Sequence, residues 1–191
     1  MIKTKRLIFR PIEEADLEII RDWIFSENIY KYFPDNEPVN MSCQKKWFEN
    51  TVCNIKENKF FIVAKLDDNN PIGLTYLQKV DLKNGNAEFS FYLGDPKYYS
   101  KGYAVEMELV TLEYAFNYLN LHKVYAEVLE GGDRIISLHE KFNFKTVGTF
   151  KEQIYHEGRY IDLIRVEVLK NEFLEVAPKI KSICDKMKSS E

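Results

Sequence analysis

No stretch of the 191 residues approaches the roughly 18 consecutive apolar residues that a membrane-crossing helix requires, so no membrane span is expected. Cysteine is scarce. Cys43, Cys53 and Cys184 are odd in number and fit no CxxC pattern. That excludes a disulfide framework and suits thiols in a reducing, cytoplasmic compartment. Histidine is equally rare. His122, His139 and His156 are scattered, so no metal constellation is expected, and no Ser-His-Asp or Cys-His spacing invites a covalent nucleophile. An excess of one charge is also missing. With 27 basic and 30 acidic side chains the formal charge is −3, which argues against a nucleic-acid partner and against an acidic disordered tail. The opening MIKTKRLIFRPIEEAD has its apolar run broken by Arg10 and nearby acids, so it does not read as a signal peptide. There is no repeat, low-complexity tract or linker.

What the chain does have is aromatics. Twelve Tyr, 13 Phe and 2 Trp make 14% of the residues, a composition that folds. At about 150 residues per domain the length fits one domain with an appendage. We read the domain as 1–173 and the appendage as a C-terminal helix or tail over 174–191.

The order of elements follows from periodicity. Residues 5–12 alternate and end in proline, like an edge strand. Leu17, Ile20 and Ile24 make a helical stripe in 14–25. Residues 30–40 read as a loop, and Ser42 could cap a helix through Val52. Three strands follow, at 59–66, 72–80 and 87–93, the last two joined by a turn at Asn84–Gly85. Then come a helix at 102–119, a strand at 123–129, a short helix at 133–142, and an antiparallel pair at 146–155 and 159–169. A polar amphipathic segment closes the chain. This order predicts an α+β fold with a mixed, mostly antiparallel central sheet and helices on both faces.

A strand that feeds directly into a helix has a chemical consequence. The first N–H groups of the helix lack acceptors and carry partial positive charge, which suits an anion. The segment Tyr98-Tyr99-Ser100-Lys101-Gly102-Tyr103-Ala104-Val105-Glu106 lies at such a junction, after AEFSFYL and Gly94-Asp95-Pro96. Gly102 permits close backbone approach, Ala104 leaves the first turn uncrowded, and Lys101 adds charge. A pyrophosphate would fit here.

This run resembles the acetyl-CoA loop of the GNAT superfamily of N-acetyltransferases, whose pattern R/Q-x-x-G-x-G/A falls on Tyr99 to Ala104. A second family segment, N-x-x-A/S-I-x-L-Y-E-K-x-G-F, corresponds to Gly132 through Phe144, where Ile136, Leu138, Glu140, Lys141 and Phe144 agree. RLIFRPI and GRYIDLIRVEVLKNEF resemble the branch that holds ribosomal-protein alanine, spermidine and nucleotide-amino-sugar acetyltransferases. The resemblance spans about residues 3–173. It departs at three positions: Tyr99 stands for Arg or Gln, Gly132 for Asn, and His139 for the Tyr often taken as general acid.

The resemblance implies the GNAT-like acyl-CoA N-acyltransferase fold and direct transfer of acetyl from acetyl-CoA to a primary amine in a ternary complex, with no metal. It assigns cofactor contacts to Tyr92, Leu93, Tyr99, Ser100, Lys101, Gly102, Tyr103 and Ala104. The strand around Tyr92 and Leu93 would hold the acetyl carbonyl. Glu88, which alternation places opposite Phe89 and Phe91, is the preferred general base, with Glu127 as competitor. His139 would return a proton to the thiolate, since an imidazole titrates near neutral pH. The acceptor is expected against Tyr30, Tyr32, Phe33, Asp35, Glu37 and Tyr155, with His156 alongside. Flat aromatic walls favour a nucleotide-linked amino sugar. The alternatives are a polyamine, a protein N-terminus, or a CoA-binding sensor without turnover. The partner is thus a small-molecule amine, with a homodimer allowed by the last strand and the C-terminal stripe.

Overall fold

The structure, a computed structural model, describes residues 1–32, 41–54, 56–156 and 158–187. Its eight strands are β1 (Ile2–Lys3), β2 (Leu7–Arg10), β3 (Lys59–Lys65), β4 (Pro71–Asp81), β5 (Asn86–Leu93), β6 (Lys123–Leu129), β7 (Lys145–His156) and β8 (Arg159–Leu169). They form one sheet in the order β1-β2-β3-β4-β5-β6-β8-β7. Every neighbouring pair is antiparallel except β5 and β6. That single parallel contact needs a crossover helix. It is α4 (Tyr103–Glu113), extended by a wider π turn over Tyr114–Tyr118.

The other helices are α1 (Leu17–Ile24), α2 (Glu27–Tyr30), α3 (Met41–Trp47), α5 (Asp133–Glu140) and α6 (Lys170–Cys184). On one face of the sheet, Leu17, Ile20 and Trp23 of α1 and Ile29 of α2 pack on Phe60, Ile62, Leu74 and Tyr92. On the other, α4 and α6 bury Leu109, Leu112, Phe116 and Phe173 with Phe89, Val124 and Val166. Helices therefore cover both faces, as the element order predicts. The strand expected at the sheet edge, Leu7–Arg10, is flanked by the two-residue β1, so the short β1 takes the edge instead.

The C-terminal segment is a packed helix. Phe173, Ala177, Ile180 and Cys184 of α6 are buried in the core shared by α4 and β6. Burying such side chains contributes about 1.5–3 kcal/mol each for the large ones, ample to hold the helix in place. Helix α3 begins at Met41, so Ser42 lies inside it rather than capping it.

Candidate active site

The site begins with a loss of pairing. β5 and β6 pair only over Asn86–Lys123, Ala87–Val124 and Glu88–Tyr125. Beyond that point β5 stays with β4 as far as Leu93, and β6 stays with β8 as far as Leu129. The two strands part into a wedge. Which backbone groups face it follows from alternation. Gly94 N donates to Ile72 O across β4 at 2.8 Å, and Lys123 N donates to Gly85 O at 3.0 Å. Even-numbered residues of β5 thus turn their N–H and C=O toward β4, and odd-numbered ones turn theirs toward β6. Phe91 and Leu93 face the wedge, where no strand pairs with them. The Leu93 carbonyl there accepts the Tyr99 hydroxyl at 3.5 Å. Of the two residues expected to hold the acetyl carbonyl, Leu93 presents its N–H to the wedge. The N–H of Tyr92 is turned to β4, and its ring is buried edge-on against Trp23, with centroids 6.2 Å apart.

The anion loop closes the C-terminal end of β5. Ser100 and Gly102 have φ values of +59° and +79°, so their N–H groups can converge with those that open α4. Gly102 suits this position because its φ lies in the left-handed region. Arg6 braces the loop from behind. Its Nη1 donates to Lys101 O at 3.1 Å and its Nε to Glu106 Oε2 at 2.7 Å, and both side chains are buried. Glu106 also accepts from Thr4. The first-turn acid that would repel a phosphate is thereby neutralised and turned inward. Tyr103 is buried beneath Arg6, whose guanidinium lies 4.6 Å from its ring centroid. Its side chain belongs to the core, and only its backbone can serve a ligand. Ser100 and Lys101 are exposed, and Ala104 is half-buried.

The two missing family side chains have local explanations. Tyr99, where Arg or Gln was expected, lies at the wedge mouth. Burial first, and then the neighbouring Tyr32 phenol, push its pKa up. At Gly132 a Cβ would meet Val128 Cγ1 at 2.3 Å. Packing of α5 on β6 excludes an asparagine there.

On the α1–α2 face, Glu88 is buried and receives the Gln78 amide at 2.8 Å and Lys79 Nζ at 2.7 Å. Lys79 reaches it because β4 carries a register shift between Gln78 and Asp81, with Lys79 at φ +52°. Such a bulge turns a side chain onto the face that alternation would deny it. Glu127 is held by Arg165, which also stacks on Tyr125. An exposed lysine releases its partner more readily than a stacked arginine, so Glu88 is the freer of the two carboxylates. Nearby, burial pushes the Tyr76 phenol up to about 12.

Of the residues expected to hold the acceptor, Tyr30 lies on this same face. Tyr30 of α2 lies 6.4 Å from the His156 ring at the end of β7. Tyr155 points outward instead, where it packs on Tyr160 and both are exposed. Strand alternation thus brings His156, not Tyr155, to Tyr30. Tyr32 is exposed beneath Lys31. Phe33, Asp35 and Glu37 lie outside the described residues.

On the opposite face, His139 of α5 is 2% exposed, boxed by Phe89, Phe91 and Phe144. Its Nδ1 lies 2.7 Å from Oε1 of Glu108 on α4, which is fully buried. Sequence reasoning missed Glu108. The signal was an acid embedded in YAVEMELVTLE, a helix apolar on nearly every side, where a charge must find a partner. It also missed Arg6, which only the loop's fold brings to Glu106.

A sheet split beside a helix N-terminus is the arrangement that the resemblance implies for a CoA-dependent acyltransferase. The family comparison makes this specific. Residues 6–145 match the acetyltransferase (GNAT) domain, and the chain belongs to that family. It is an N-acetyltransferase that uses acetyl-CoA. It is 27% identical over 169 residues to a spermidine N(1)-acetyltransferase of Vibrio cholerae, covering 88% of this chain and 96% of that one. It is 30% identical over 171 residues to the SPbeta prophage-derived N-acetyltransferase YokL of Bacillus subtilis, covering 88% and 93%. Among solved structures, the V. cholerae spermidine N-acetyltransferase in complex with CoA and spermine superposes with a TM-score of 0.80 at 28% identity, covering 90% of this chain and 99% of that one. A dodecameric structure of the V. cholerae enzyme in an intermediate state gives 0.76 at 25% identity, covering 90% and 98%.

Proposed function

We propose that this protein acetylates a primary amine of a polyamine of the spermidine class, by direct attack within a ternary complex. The observation that carries this reading is the likeness, over nearly the whole chain, to a spermidine N-acetyltransferase bound to CoA and spermine. The relatives with an assigned acceptor are spermidine enzymes, and none of them supports the amino-sugar expectation. The sequence between Tyr32 and α3 carries Asp35 and Glu37, suited to a cationic acceptor. By the same likeness, the chain assembles as an oligomer larger than the expected dimer.

Residues present fit the donor: converging loop N–H groups for its phosphates, and a Leu93 N–H turned into the wedge. Bound acetyl-CoA supplies an activated acyl group and a thiolate leaving group. A polyamine nitrogen with a lysine-like pKa near 10.4 is charged at pH 7.4, and uncovering its lone pair costs roughly 4 kcal/mol. Glu88, on the acceptor face, takes that proton directly or through water. Leu93 N–H stabilises the developing oxyanion without reorganising at the moment of reaction. His139, on the far side of β5, delivers a proton through Nε2 to the departing sulfur.

The test is a thiol-release assay with acetyl-CoA over spermidine, spermine, a nucleotide-linked amino sugar and N-terminal peptides. Release with spermidine or spermine at the highest kcat/KM is expected. Release with the amino sugar alone would overturn the polyamine reading. Thermal stabilisation by acetyl-CoA with no release across the panel would instead mark a sensor.

A further inference from the structure

We infer that Glu108 is the positioning residue of the proton-delivering step, locking His139 in the tautomer that leaves Nε2 for the thiol. This rests on the reading of His139 as proton donor and extends it to a residue with no other evident task. Glu108 Oε1 lies 2.7 Å from His139 Nδ1, and its second oxygen, Oε2, is buried with no hydrogen-bond partner among the described residues. A wholly buried carboxylate with one contact is a poor way to stabilise a core, since desolvation costs several kcal/mol. Half-satisfied pairs of this kind persist where geometry serves chemistry.

The geometry is selective. An ionised carboxylate can only accept, so Nδ1 carries a hydrogen and donates it to Oε1. The contacts from other elements are the Phe89 and Phe91 rings of β5 and Phe144 beyond α5, and none of these offers a competing hydrogen bond. They fix the plane of the imidazole, while Glu108 fixes its rotation and its proton. Phe91, whose backbone faces the wedge, meets the imidazole edge-on with ring centroids 6.3 Å apart. In the step itself, Nε2, left free by the Nδ1–H tautomer, takes a proton from solvent and passes it to sulfur as the carbon–sulfur bond breaks and the electron pair stays on sulfur. The ring is left neutral, its Nδ1–H still donated to Glu108.

The experiment pairs Glu108→Gln and His139→Gln with nitrogen NMR of the three histidines in wild type. The wild-type spectrum should show His139 as the Nδ1–H tautomer. Glu108→Gln offers Nδ1 either a carbonyl or an N–H, so the preference should be lost. With acetyl-CoA and spermidine its kcat should fall at least about tenfold, while the acetyl-CoA KM stays within about twofold. An Nε2–H tautomer in wild type overturns the inference without any variant, because Glu108 would then be the donor. So does full kcat in Glu108→Gln when His139→Gln is impaired. Full kcat in His139→Gln overturns the proton-donor reading itself, which separates the two failures.

Discussion

Strand β5 separates two half-sites built from unlike materials. On the α1–α2 face, Glu88 meets a lysine and an amide, and Tyr30 meets His156. On the α4–α5 face, His139, Glu108, Arg6 and Glu106 are buried among rings and aliphatic side chains. The difference follows from what each half has to do. An acceptor must enter and leave, and its charge must be handled in contact with water. A phosphate loop and a proton donor work best when fixed, because preorganised groups need not reorganise during the reaction. Changes to the loop brace on the closed face should therefore cost folding stability or donor binding, whereas changes at Glu88 on the open face, like those at the His139–Glu108 pair, should cost rate.

The largest effect should come from Arg6→Ala. It strands Glu106 as a buried charge and removes the brace on Lys101 O. Breaking such a pair from one side costs about 3–5 kcal/mol. Urea unfolding should show that loss, with a raised acetyl-CoA KM in whatever protein remains folded. A variant that unfolds within about 1 kcal/mol of wild type would show that the closed face is not the rigid one.

Glu88→Gln should do the reverse. Its neighbours Gln78 and Lys79 can keep contact with an amide, so the melting temperature should move little. With spermidine at pH 7 we expect kcat to fall about 10–100-fold, and the deficit to shrink as pH rises and solvent takes over the amine's proton. A deficit that stays constant to pH 9 would mean Glu88 holds the sheet together rather than accepting a proton. Glu127→Gln, made in parallel, separates the two carboxylates.

How much of this could be read in advance depended on the range of the interaction. The helix start at Gly102 and the strand order were legible because they rest on local spacing. The turn that leads into that helix was legible for the same reason, while its reading as a phosphate loop rested on the resemblance. The wedge was not, since a strand's parting from its neighbour is decided by which partner each strand follows. Nor was Lys79 on Glu88, which needs a bulge that alternation argues against. Tyr155 and His156 differ by one position, and one position is a whole face of a strand. Gly94 illustrates the same point. In the sequence it reads as a strand stop, yet a Cβ there would sit 2.1 Å from the Trp23 ring, so packing by α1 demands it.

The smallest expected effect compares one weak acid from each face. Burial, foremost, pushes the Cys184 thiol up to about 11 on the α4–α6 side, and Tyr76 up to about 12 on the other. Both are folded as the protonated form. In the unfolded chain the thiol ionises near its ordinary value, below the folded one, so the unfolded state binds fewer protons and stability falls as pH rises through about 9 to 11. Tyr76 acts one step later, from about 10 to 12. Urea unfolding at pH 8 and pH 10 should show a loss that is smaller in Cys184→Ala, by up to about 1 kcal/mol. Tyr76→Phe should change the loss over this interval less than Cys184→Ala does. If the order is reversed, the open face is the drier of the two, and the division drawn at β5 fails.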